Sequence, residues 1–323
     1  MPRAYDPPVP SVSVAIPVLN GGPLLAEVLD AVTTQDHADL AEVVVCDSGS
    51  TDGSADVARA AGARVVTIDR RSFGHGRTRN LLMREACGDV VAFLTQDATP
   101  DGDGWLRALT EPFGDDDVAL TCGPYRPRPD ASVATARELE ATFAAMAGPD
   151  GGPRVHRPDE LPVPLTPSPV TFHTDANGAL RRRAWERTPF RDVPYAEDQW
   201  LALDLLRAGW SRAFVPAAAV VHSHDYPPGE RFRRIFDEFR ALHDVYGLRT
   251  DVHPRRVLGD VRARVRADRA WASANGTPGR ALDRATVASL GHHVERALAA
   301  AAGSRADRIP TALRRRLSRD GIA

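Results

Sequence analysis

Five short runs dominated by Val, Ile, Leu and Ala most constrain what this chain can become. They are Ser13–Ile16, Glu42–Asp47, Arg64–Ile68, Val90–Thr95 and Val118–Cys122. Segments of helical periodicity separate them: Leu24–Gln35 opened by Pro23, Ser54–Ala61 ended by Gly62, Gly76–Ala86 stopped near Gly88, and Trp105–Glu111. A strand that is apolar on both sides has no face to give to water, so something must cover both. Alternation with helices supplies the cover and predicts an α/β fold built on a mostly parallel sheet.

The second part of the chain is less regular. A helix is predicted over Ala131–Met146, then a stretch rich in Pro and Gly from Gly148 to Pro169. So long a connection reads as a functional or mobile loop. Strand-like and helical pieces resume from Phe172 to His222. Glu230–Tyr246 is amphipathic, with Phe232, Ile235, Phe236, Phe239, Leu242 and Tyr246 on one face, most simply for core packing. The Ala/Arg-rich region 248–323 predicts an all-α extension broken at Asn275-Gly276 and Ile309-Pro310. The expected division is a domain over 11–247, split into a nucleotide-binding half (11–125) and an acceptor half (126–247), followed by that extension.

No apolar run approaches the roughly 18 residues that cross a bilayer. The start, Met1–Pro10, lacks an apolar stretch and does not read as a signal peptide, so a cytoplasmic protein is expected. Cys46, Cys87 and Cys122 are odd in number with no C-x-x-C pair, so neither a disulfide framework nor a zinc site is indicated. All 41 basic residues are arginine. From Arg255 onward 15 Arg stand against 6 acids; the remainder carries 26 against 37. A basic tail on an acidic body allows three readings: peripheral contact with a membrane surface, a solvated helical face, or contact with the acidic body itself. Nucleic acid is not an expected partner.

In a parallel α/β sheet, ligands bind beyond the carboxyl ends of the strands. Four such ends carry polar groups: Pro17-Val18-Leu19-Asn20-Gly21-Gly22, Asp47-Ser48-Gly49-Ser50-Thr51-Asp52-Gly53, Arg70 through His75, Arg79 and Asn80, and Gln96-Asp97-Ala98. Asp47 suits a pyrimidine N–H or ribose hydroxyls, and Ser48 and the glycines let the backbone approach closely. Asp52 fits a helix cap equally well. The loop with His75, Arg79 and Asn80 opens a helix whose N–H groups favour anions, and Arg79 is a candidate diphosphate contact. Asp97, directly after an apolar strand, is placed to hold Mg²⁺ or Mn²⁺ against a diphosphate. His222 and His224 are further ligand candidates, since a period-2 pair projects to one face. Glu197 and Asp198 open a helix. They serve its dipole, or one of them, Asp198 first, is a general base for an acceptor hydroxyl.

These pieces, in this order, resemble family 2 glycosyltransferases, inverting enzymes of the GT-A fold. The carriers are Val14–Asn20, Val45–Gly53, FGHGRTRN at 73–80, LTQDA at 94–98, Asn177–Arg182, AEDQW at 196–200 and HSHDY at 222–226. Their forms are most similar to the rhamnosyltransferase-like branch, whose usual donor is dTDP-rhamnose. The resemblance implies that Pro17, Asn20 and Asp47 hold base and ribose, with Ser48, His75, Asn80 and Gln96 lining the same donor cleft. It implies Arg79 at the diphosphate, Asp97 with a His of the 222–224 pair on the metal, and Asp198, beside Glu197, as the base. Thr95 replaces the first Asp of the usual D-x-D element. The implied partners are a dTDP-, UDP- or GDP-linked sugar and a hydroxyl acceptor, a lipid-linked glycan or a small molecule. A sugar nucleotidyltransferase is the competing enzyme class, though the chain has no lysine for its phosphates. A non-catalytic nucleotide- or glycan-binding scaffold is the other alternative.

Overall fold

The computed structural model describes residues 10–37 and 39–319. It opens with β1 (Val12–Val18), α1 (Gly22–Thr33), β2 (Leu40–Asp47), α2 (Ser54–Ala60), β3 (Arg64–Thr67), α3 (His75–Glu85) and β4 (Val90–Leu94). Then follow β5 (Thr99–Pro100), α4 (Trp105–Thr110), β6 (Val118–Cys122) and β7 (Tyr125–Arg126). The five predicted strands and four predicted helices are therefore present, within two residues or so of the expected ends.

The strands of the first part form one parallel block in the order β3-β2-β1-β4. Its residues are apolar on both sides because both sides are covered. Val12, Val14, Ile16 and Val18 pack with Leu25, Val28, Leu29 and Trp105, while Ala15 faces Leu82, Met83 and Phe93.

The second part adds α5 (Val133–Ala144), β8 (Arg154–His156), β9 (Asn177–Arg181), α6 (Arg182–Trp185), α7 (Glu197–Arg207), β10 (Ser211–Phe214) and β11 (Val220–Val221). The sheet continues without a break as β4-β9-β6-β10-β8. β9 is antiparallel to both neighbours, β4 and β6. β5, β11 and β7 form a separate small sheet. The stretch 148–169, expected to be irregular, contains only β8 and one 3₁₀ turn.

The segment 177–182 locks this arrangement. Asn177 is fully buried; it accepts from Trp105 Nε1 at 2.9 Å and donates to Ala218 O at 2.7 Å. Arg182 donates to the carbonyls of Met83, Ala86 and Gly88. Gly123 passes so close that an added Cβ would lie 1.8 Å from Ala218 O and 2.7 Å from Asn177 Nδ2. Gly123→Ala is therefore expected to cost about 1–3 kcal/mol or more through overpacking, read as a lower urea midpoint at unchanged slope.

The chain ends in α8 (Glu230–Tyr246), α9 (Pro254–Ala274), α10 (Gly279–Gly303) and α11 (Thr311–Leu317). The breaks fall where Asn275-Gly276 and Ile309-Pro310 predict them. The apolar face of α8 packs into a core, as its spacing suggests, and what it packs against is the extension. Ile235, with Phe232 and Phe239, meets Ala299 and Ala300 of α10, so this face receives the extension. α9 lies against α5, where Arg264 pairs with Glu138 at 2.8 Å and Trp271 Nε1 bonds Glu140 at 2.7 Å. Arg319 pairs with Glu230. Part of the basic tail thus meets acids of the body. Among the described residues no helix is long and apolar enough to cross a membrane.

Candidate active site

The ends of β1, β2, β3 and β4 share one edge of the sheet. Because β9 runs the other way, its beginning reaches that edge: Asn177 pairs with Leu94. His173 and Asp175, just before β9, therefore arrive beside the loop that carries Asp97. β11 pairs with β5 and β7, which brings the residues after Val221 to the same place.

Asp97 lies between two imidazoles. His224 Nε2 is 3.0 Å from Oδ2 and His222 Nδ1 is 3.6 Å from Oδ1. One ligand atom from each of the three lies within 4.8 Å of the others. Burial lowers the His222 pKa to about 4, so its ring is neutral and keeps a lone pair for a ligand. Burial would raise Asp97, but the His224 hydrogen bond and the electrostatic pull of the two imidazoles beside it outweigh it and hold the carboxyl well below its usual range. Arg128 fixes the group. Its Nη2 bonds Asp97 O at 2.6 Å and its backbone N–H bonds Ser223 Oγ at 3.0 Å.

A second cluster is built around Arg79, which is buried. Its Nε lies 3.0 Å from Asp175 and its Nη1 2.5 Å from Glu197. His173 Nε2 bonds the other oxygen of Asp175 at 3.0 Å. Burial alone would lower His173, yet the Asp175 hydrogen bond and charge keep it up near 9. Two cations thus match two carboxylates. Asp198, next in line, is a third carboxylate with no cation of its own. Burial first, then the charges of Glu197 and Asp175, push it up to about 7. It is only half-buried, and Oδ1 accepts the Gln199 N–H at 2.7 Å. Ala196, immediately before Glu197, has φ 59°. A left-handed backbone at a residue other than glycine is costly and tends to cluster at functional sites.

Tyr125 joins the two clusters. Its ring meets His222 edge-on with centroids 4.9 Å apart, its hydroxyl bonds Thr174 Oγ1, and it feels the charge of Asp198. Residues 97 and 198 therefore share one side of the molecule. A hollow of about 780 Å³ elsewhere, lined by His37, Trp105 and Arg107 among others, touches none of these groups.

The model of Glycosyl transferase family 2 matches residues 13–188, more than half the chain. The chain belongs to this family.

As a family 2 glycosyltransferase it is 30% identical over 232 residues, 70% of either chain, to the O-antigen chain rhamnosyltransferase RfbN of Salmonella typhimurium (strain LT2). It is 28% identical over 234 residues, 71% of either chain, to the O-antigen chain rhamnosyltransferase WbaN of Salmonella anatum. Among solved structures it is similar to the mannosyltransferase PcManGT of Pyrobaculum calidifontis in complex with GDP-Man and Mn²⁺. That likeness has TM-score 0.59 and 23% identity, over 93% of this chain and 88% of that one. Glucosyl-3-phosphoglycerate synthase of Mycobacterium tuberculosis with Mn²⁺ and UDP-Glc gives TM-score 0.52 and 22% identity, over 75% of this chain and 81% of that one. These likenesses establish the GT-A fold.

Within this family 2 enzyme several predicted site residues are engaged by the protein itself. Arg79 is held by Asp175 and Glu197. Glu197, for the same reason, is bound to a cation rather than poised as a base. Asn80 donates to Phe190 O and accepts from Trp185 Nε1 and the Phe190 N–H, so its amide ties α3 to the segment after β9. Gln96 clamps Leu19 through both its N–H and its carbonyl. Asn20 accepts the Thr51 N–H at 2.9 Å, and Asp47 accepts from Gly49 and Ser50. Asp52 takes the Ser54 and Gly22 N–H groups, its capping reading.

Others keep their place at the edge. Pro17 lies at the end of β1 beside Cys46. His75, against the Phe73 ring, sits within electrostatic range of Asp175. The hydroxyl of Ser48 is buried without a hydrogen-bond partner, and that of Thr95 is directed at Asp97. The residues missed from the sequence are Tyr125, Arg128, His173 and Asp175. A carboxylate two positions before an apolar strand was the one available signal for Asp175.

Proposed function

We propose that the chain transfers a deoxyhexose, rhamnose in the first instance, from a nucleoside diphosphate carrier to a glycan hydroxyl, with inversion at the anomeric carbon. One observation carries the reading: among the described residues of the buried charge cluster, Asp198 is the carboxylate left without a cation, and Tyr125, whose ring meets His222, links it to the Asp97 group. A base with a pKa near 7 is suited to taking a proton at neutral pH. The acceptor oxygen attacks the anomeric carbon, its proton passes to Asp198, and the bond to the diphosphate breaks. The O-antigen rhamnosyltransferase relatives support the sugar, and the family supports the donor class.

The donor set fits a divalent cation, Mn²⁺ or Mg²⁺. One ionised carboxylate and a neutral imidazole, with a second imidazole at hand, leave coordination positions for phosphate oxygens. Asp97, His222 and His224 would hold it. Bound there, it would offset charge on the departing diphosphate. The unpartnered Ser48 hydroxyl, at the end of the strand beside β1, supports a polar ligand in the same cleft.

Thermal-shift and calorimetric titration with dTDP-, UDP- and GDP-sugars, with and without Mn²⁺, tests the donor; the anomeric configuration of the product tests inversion. Mn²⁺ is expected to tighten donor binding at least about tenfold, or ~1.4 kcal/mol. Asp97→Asn is expected to lose that gain. An equal Mn²⁺ effect in parent and variant removes Asp97 from the donor site.

A further inference from the structure

A second group of metal-ligating side chains stands outside the cleft, where α5 meets the C-terminal helices. Glu138 of α5 faces His292 and His293 of α10, and one ligand atom from each lies within 4.8 Å of the others. His292 Nε2 is 3.7 Å from Glu138 Oε2, and His293 Nδ1 is 3.8 Å from Oε1. Both gaps are too long for hydrogen bonds. The His292 gap, to the oxygen that Arg264 leaves open, is close to the edge of a tetrahedral zinc shell, about 3.4 Å for ligands at 2.0–2.1 Å.

The burial is the second observation. His292 is 8% exposed and His293 1% exposed. Neither nitrogen of His292 has a hydrogen bond, nor does Nδ1 of His293. Buried polar groups are normally satisfied, and an orphan calls for an explanation such as an ion.

The surroundings complete a recognisable design. His293 Nε2 bonds Asp268 at 2.7 Å, and Asp268 is itself held by Arg137 and Ser289. A carboxylate on the far nitrogen fixes the tautomer and turns the lone pair of Nδ1 inward, as the outer shell of a zinc site does. Arg264 takes Glu138 Oε1 at 2.8 Å and leaves Oε2 for a cation.

We infer that Glu138, His292 and His293 form a structural zinc site, with water as the fourth ligand, that fastens the C-terminal helices to α5. Two imidazoles and one carboxylate suit Zn²⁺. This site is independent of the donor cleft and of the reaction proposed there.

The test uses the full chain, stripped with a chelator and titrated with Zn²⁺ against a chromophoric competitor. A D97N/H224N background dismantles the cleft cluster, so that only the second site is counted. One equivalent is expected to bind, and added zinc is expected to raise the melting temperature. Co²⁺ in the same background is expected to give the intense visible absorption of a four-coordinate ion. H292Q and, as the milder variant, E138Q are each expected to weaken zinc at least about 100-fold, the loss of a ligand exceeding that of a supporting residue. Absence of a tightly bound equivalent in the D97N/H224N chain overturns the site whether or not the other variants fold. Retention of tight zinc by a folded H292Q or E138Q overturns it equally.

Discussion

Asp198→Asn is expected to lower the transfer rate by about 10²–10⁴, the usual worth of a placed general base, while donor affinity stays within about twofold because the carboxylate acts on the acceptor. Calorimetry with the nucleotide sugar checks the second half; a collapse of binding together with activity assigns Asp198 to the donor instead. The parent enzyme should gain kcat/KM as pH rises through about 7, since only the ionised form accepts a proton. The same substitution should stabilise the protein. The folded-state pKa lies above the unfolded value of 3.8, so folding favours the protonated form. Stability from this group is whole below about pH 4 and is lost as pH climbs to and past about 7. A move from 3.8 to about 7 corresponds to at most on the order of 4 kcal/mol. Asn cannot ionise, so the urea midpoint of the variant should exceed the parent's at pH 8, and the difference should shrink toward pH 4.

Arg79→Met is expected to act in the opposite sense, with a loss of about 3–5 kcal/mol, the cost of breaking a buried ion pair by removing one partner. Both Asp175 and Glu197 would stay buried, and only His173 would remain to oppose three carboxylates. Removing the guanidinium should therefore hurt most where those acids are ionised, at neutral and alkaline pH, and least in acid. Equilibrium unfolding at pH 5 and pH 8 measures this. The stability of the variant matching the parent at pH 8 would mean that Arg79 faces a ligand and not the buried acids.

The contrast between these two positions shows what was readable beforehand. Strands such as Val90–Leu94 declare themselves, because burial on both faces forces an unbroken apolar run. Asp97, His222, His224 and Asp198 stand out as polar groups that directly follow such runs or open a helix. The direction of β9 is not written in that alphabet. Asn177–Arg181 reads the same whether its start or its end meets the ligand edge, so His173 and Asp175 stayed hidden. The ion pairs of Arg79 were hidden for a related reason. A cation in a loop that opens a helix looks like an anion receptor until its partners, 96 and 118 residues later in the chain, come into view. Asn80 and Gln96 repeat the point, since amides in a family motif serve scaffold and substrate alike.

The antiparallel strand at the centre of the sheet has a mechanical corollary. It welds what would otherwise be two lobes into a single slab, with Asp97, His222, His224 and Asp198 carried on the same rim. The spacing between the Asp97 cluster and Asp198 is then held by one shared sheet and not by the angle between two lobes.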